Sequence, residues 1–380
     1  MNKKYIILFL LSIQFNFLSS KCYICSPVDD FVEEKEQKDF LANFKPDILL
    51  TEQTQEDRDL LKDIKDKKLF FEAANGSYFD SKKKVYLNTI ENCGAKEKIL
   101  ITDDEFRISS LYRKVKDAPF NIIYVTGYFH DLTPPKEWCA PFFAIYPNVN
   151  ILAFDWRGYG NSDGRKGKWS KNDFGKNAYP DIQAAVDFFK KKNNKPTIVV
   201  GFCLGAIMAM HATVEAKKAD KNTADALVLN SLVTDFNNIM NRCYIVENRW
   251  LKYLFLRTVV GLRLGQAFIY FLLNGNLLDL KPIDMIDQIN IPCYFEHFSG
   301  DPFARIEEGI EVWSKAKSFK IFMESKKGGH VRPHKEFPYQ YRISFYEFLQ
   351  KSKLVSEKDI LELKLKDDLK LKKQETVVGT

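Results

Sequence analysis

Histidine is scarce in this chain, with five residues among 380, so any chemistry that needs an imidazole base has few residues to draw on. Cysteine is sparse and odd in number, seven in all, which leaves at least one thiol outside any set of disulfides. These residues show no metal-ligand spacing except Cys22-x-x-Cys25, which lacks a second pair, so no metal and no other cofactor is expected. Neither sign of charge dominates. The net +7 comes from 57 basic against 50 acidic residues, and lysine runs such as Lys82-Lys83-Lys84 and Lys190-Lys191-Lys192 read as solvated faces. No recognition helix, zinc finger or RNA-binding signature accompanies them, so a nucleic-acid partner has no support. Long uninterrupted apolar runs are missing from the interior. The most apolar stretches, around Trp250 and Phe268, are punctuated by Arg249, Lys252, Arg257 and Arg263, which argues against membrane spanning.

What is present supports a globular body: 45% of the residues are hydrophobic, enough for one large core with appendages or two small domains. The first 20 residues follow a charged, apolar, small-residue order, from Lys3-Lys4 through Tyr5-Ile-Ile-Leu-Phe to Leu18-Ser19-Ser20. That is the order of a signal peptide, so export to a periplasmic, extracellular or secretory compartment is expected, with a retained membrane anchor as the alternative. Residues 21–97 read as an N-terminal helical or irregular extension, with a glycosylation sequon at Asn75-Gly76-Ser77.

From residue 98 onward, apolar strands alternate with amphipathic helices, which means a largely parallel sheet covered on both faces. The strands are expected near Ile99, Phe106, Asn121, Asn150, Pro196, Ala226, Ile291 and Phe319. The rhythm breaks over residues 235–290, where only helices can be read and a cap inserted between two halves of the sheet domain, 98–234 and 291–351, is expected. Trp250, Tyr253, Phe255, Phe268 and Phe271 in that cap fit either a pocket for a small acyl, lipid-like substrate or plain packing onto the sheet. Its arginines could meet a carboxylate or a phospholipid surface, giving peripheral membrane contact through the cap. Residues 352–380 form a charged C-terminal tail.

The stretch that organises the chain is Thr197-Ile-Val-Val-Gly201-Phe-Cys203-Leu-Gly205 followed by an Ala/Met-rich helical run. A strand that turns this sharply into a helix needs residues without bulk two positions either side of the apex, and it lifts the apical side chain above the sheet edge. Gly201 and Gly205 occupy those positions, with Cys203 at the apex. A thiol there needs a base, because a cysteine of ordinary pKa, about 8.5, is only a few per cent thiolate at neutral pH.

This elbow, the strand order and the inserted cap resemble the α/β-hydrolase superfamily over about residues 98–351. Phe154-Asp-Trp-Arg157-Gly158-Tyr-Gly160-Asn-Ser162 is similar to the turn after the fourth strand in that superfamily, and Gly-Phe-Cys-Leu-Gly resembles the elbow of dienelactone hydrolases, where Ser is more usual elsewhere. The resemblance implies an α/β-hydrolase fold and cleavage of an ester, thioester or related acyl bond through a Cys-His-Asp triad. Catalytic inactivity, or acyl transfer on the same scaffold, is the alternative. It puts the histidine at His330, with His334 as fallback, and the orienting acid at Asp301, with Glu296 and Asp235 as alternatives. It implies an oxyanion hole from the amides of Leu204 and Tyr128, although Thr126-Gly127-Tyr128 stands where His-Gly is common, and Phe298 where a Gly is common. His211 is expected in the core, and His130 and His297 at strand edges, as polar surface or substrate contacts.

Overall fold

The computed structural model describes residues 94–127, 139–164, 175–236, 238, 279–299, 301, 303–325, 330, 334 and 338–378. The expected signal segment, almost all of the extension, most of the cap, His130 and Tyr128 lie outside them. Eight strands make one sheet. β1 (Lys96–Ile101) and β2 (Arg107–Arg113) are antiparallel across the turn at Asp103, Asp104 and Glu105. β2 joins the rest by an antiparallel pairing with β4 (Asn150–Phe154). β3 (Asn121–Val125), β5 (Thr197–Phe202), β6 (Ala226–Asn230), β7 (Cys293–Phe298) and β8 (Lys320–Ser325) continue it in parallel, in the order β1-β2-β4-β3-β5-β6-β7-β8.

The central strands are buried at every position, as a sheet covered on both faces requires. Because side chains alternate across a strand, the same strands feed two cores. Ile123, Val125, Leu152, Val199, Leu227 and Phe295 face one, with residues of helices α2 (Tyr179–Lys192) and α3 (Leu204–Lys218). Ile122, Tyr124, Ile151, Val200 and Tyr294 face the other, with those of α1 (Ala140–Ile145) and α6 (Pro338–Lys351). The short α4 (Pro282–Met285) and the helix α5 (Ile306–Lys315) lie either side of β7 in sequence. Among the described residues no helix is long and apolar enough to cross a membrane.

The C-terminal residues do not form a solvated tail throughout. Glu357–Val378 is a helix, α7, that buries Ile360, Leu363 and Asp367. The Asp367 carboxylate accepts hydrogen bonds from Tyr346 Oη on α6 and Asn148 Nδ2, each at 2.7 Å, and Arg342 Nη1 lies 3.4 Å from it.

Candidate active site

Parallel strands that all point one way expose their carboxyl ends along one edge, where open α/β sheets gather their sites. Cys203 sits at that edge, between β5 and α3, with φ 54 and ψ −118. A non-glycine residue in this region is strained and persists only where its surroundings enforce it. Here two contacts do so. A Cβ on Gly201 would lie 2.5 Å from the Gly205 carbonyl oxygen, and one on Gly205 would lie 2.4 Å from both the Val125 and Thr126 carbonyl oxygens. Strand, turn and helix therefore touch through bare backbone. The Cys203 amide donates to the Asn230 carbonyl at 2.9 Å, and Asn230 Nδ2 donates to the Gly201 carbonyl at 3.0 Å. Asn230, the one polar residue of β6, thus clasps both sides of the turn. Leu204, buried beside it, starts α3, so the first amides of that helix are directed toward the apex.

The turn after β4 braces the same edge. Arg157 is buried and held by Asp181 through Nε at 2.8 Å and by Asp104 through Nη1 at 2.6 Å, with its guanidinium 4.3 Å from the Phe106 ring centroid. Gly158 and Gly160 take φ of 80 and 47, which a glycine adopts without steric cost. Trp156 Nε1 donates to the Thr126 carbonyl at 3.4 Å, tying this turn to the end of β3.

His330 and Asp301 meet although they are 29 positions apart: Asp301 Oδ2 lies 2.6 Å from His330 Nδ1, with both side chains buried. Asp301 Oδ1 accepts the backbone amides of Phe303 and Ala304, each at 2.9 Å. Burial alone would raise the Asp301 pKa, yet the charge and hydrogen bond of His330, joined by the two amides, hold it below its ordinary value. Burial would lower that of His330. The Asp301 carboxylate, and after it Cys203, outweigh this and raise it to about 10. His330 Nε2 is buried and has no hydrogen bond of proper geometry among the described residues, while Cys203 is near enough to act on the ring electrostatically. The Phe303 ring meets the imidazole edge-on, 5.4 Å between centroids.

The structure thus brings together Cys203, Asp301 and His330, with Leu204 beside the thiol; Tyr128 lies outside the described residues. Two of the alternatives, Glu296 and His334, go elsewhere. Glu296 acts electrostatically on Tyr294 and Tyr341 in the other core, where His334 packs 4.8 Å from the Phe202 ring and 5.9 Å from those of Phe142 and Tyr341. His211 packs edge-on against Tyr179 at 5.7 Å, as a core residue would. His297 corrects the expectation of a polar surface residue: it is 1% exposed, because α5 covers the end of β7 on which it lies. Among the described residues no cluster of His, Cys, Asp and Glu could hold a metal.

A solved esterase of Pyrococcus furiosus, Pf2001, has a similar fold, with a TM-score of 0.50 and 20% identity over 68% of this chain and 90% of its own. The structure of DcsB in complex with its substrate analogue matches with a TM-score of 0.50 and 13% identity, over 68% of this chain and 99% of that one. The family description serine aminopeptidase, S33, fits residues 146–275. This chain has the α/β-hydrolase fold. Over 134 residues it is 28% identical to the bovine mitochondrial palmitoyl-protein thioesterase ABHD10. The match takes in 34% of this chain and spans 40% of that relative's length.

Proposed function

We propose that this protein is a hydrolase that cleaves acyl thioesters, and esters with similarly good leaving groups, through a covalent intermediate on Cys203. The observation that carries the reading is the contact of His330 Nδ1 with Asp301 at 2.6 Å on an imidazole that also senses Cys203. A histidine held in this way keeps its proton near neutrality, so it can stand as the positive partner of a thiolate at Cys203. The Cys203 thiolate attacks the acyl carbonyl, and the oxyanion is met by the Leu204 amide and by a second amide, assigned to Tyr128. His330 gives its Nε2 proton to the departing thiol or alcohol as the acyl-sulfur bond is completed. Water then attacks the acyl-enzyme, losing a proton to His330, and Cys203 leaves as thiolate.

Sulfur at the apex points to thioesters. In the tetrahedral intermediate formed from an alkyl ester, the Cys203 thiolate is a far better leaving group than an alkoxide, so collapse returns substrate unless His330 protonates first. With a thioester the two leaving groups are matched. The similarity to a palmitoyl-protein thioesterase adds a long acyl chain as the first chain length to try. The test is hydrolysis of acyl thioesters, p-nitrophenyl esters and ethyl esters of two to sixteen carbons by wild type, Cys203→Ala and Cys203→Ser. Thioester cleavage should exceed that of the ethyl ester, and should fall by about a thousandfold or more in Cys203→Ala. Equal rates in wild type and Cys203→Ala would sink the assignment. A flat profile against chain length would remove the acyl pocket.

A further inference from the structure

We propose that His297, which lies next to the triad without belonging to it, is a positioning residue for the reaction, acting on Asp301 through the backbone of Ala304. The inference rests on the triad reading above. His297 is the penultimate residue of β7, and its ring is buried at the end of the sheet. The Ala304 carbonyl, 2.8 Å from His297 Nε2, can only accept, so that nitrogen carries a proton in either charge state. The amide of the same Ala304 donates to Asp301 Oδ1, as does that of Phe303. Phe303 in turn sets its ring against His330. One imidazole thereby pins the segment that supplies two of the donors to the acid and one wall of the base.

The opposite side of the ring is closed by helix α5. A Cβ on Gly309 would lie 2.5 Å from His297 Nδ1, so the absence of a side chain there lets the ring reach Ala304. The charged groups acting on His297 are Asp301 from its own loop, His330 from the base segment and Glu308 from α5. Burial leads these influences and lowers its pKa, which keeps the ring neutral and its role that of a fixed donor.

The test compares His297→Leu, His297→Gln and Gly309→Ala, reading thioester kcat and KM and following the His330 ring by NMR as pH is raised. Leucine removes the donor, whereas glutamine can place its amide N–H where Nε2 was. Leucine should lower kcat by about tenfold or more at unchanged KM, the scale of a small misplacement of a catalytic group. It should also move the His330 titration down from about 10 toward its ordinary value. Glutamine should restore both, and Gly309→Ala, which pushes on the ring from outside, should reproduce the leucine result. If His297→Leu does not fold, Gly309→Ala carries the test alone. A His330 titration that stays at about 10 in the variants without the donor would overturn the proposal. If wild type hydrolyses nothing yet the titrations move as stated, the hydrolase reading fails and the positioning role stands.

Discussion

At the scale of single residues, the candidate site depends as much on atoms left out as on the thiol at its apex. Gly205 is where β3 meets α3, and a methyl group there would press on two backbone oxygens at 2.4 Å that cannot rotate away. Gly205→Ala should therefore displace the elbow, costing about 3 kcal/mol as an overpacked contact and most of the hydrolytic activity. Urea unfolding and a thioester assay on the same preparation would check both, and an unshifted midpoint would show that the contact yields. The three positions proposed as a triad are legible in the sequence because each falls where an element ends: Cys203 between two glycines, Asp301 after β7 and His330 after β8. His297 and Asn230 are not. Each is a polar residue near the end of an apolar strand, and its importance comes from partners at Ala304 and Gly201 that no local pattern announces.

At the scale of elements, hydrophobic period served well wherever packing follows it. The buried central strands read as continuous apolar runs and begin within two residues of the positions expected for them. Helix α7 did not declare itself, because its anchor is a charge. Ile360 and Leu363 are buried, but so is Asp367, while Leu361 and Leu365 remain exposed, which blurs the amphipathic pattern. Removing that anchor should be felt well beyond its own helix. Asp367→Ala takes the acceptor from Tyr346 and Asn148 and leaves the buried Arg342 guanidinium without this counter-charge. A loss of about 3 kcal/mol is expected, the lower range for one partner deleted from a buried pair. Activity per folded molecule should be unchanged, since Asp367 bonds to residues of the core opposite Cys203. A denaturant midpoint equal to that of wild type would show α7 to be a passive appendage.

At the scale of the whole molecule, stability should fall on the alkaline side in two separable stages. His330 has its folded pKa raised from 6.5 to about 10, so between those values the native state holds a proton that the unfolded chain has lost. By linkage, its contribution is complete below about 6.5, declines as pH rises and is gone by about 10. The second stage starts where the first ends. Burial pushes Tyr146, Tyr294, Tyr341 and Tyr346 well above the ordinary tyrosine value of 10, so above that pH the unfolded chain ionises while the native core does not. Asp301, with its pKa lowered, contributes the opposite limb: its stabilisation is present above its ordinary value of 3.8 and is lost as pH falls through the folded value. Thermal unfolding of wild type and His330→Ala across pH 6 to 12 separates the groups. The difference between the two proteins should shrink from pH 6.5 to 10 and then hold constant, while both lose stability together above 10 as the tyrosines titrate. A difference that is already constant below pH 8 would mean that His330 does not keep its proton, and the thiolate that the mechanism requires would have lost its counter-charge.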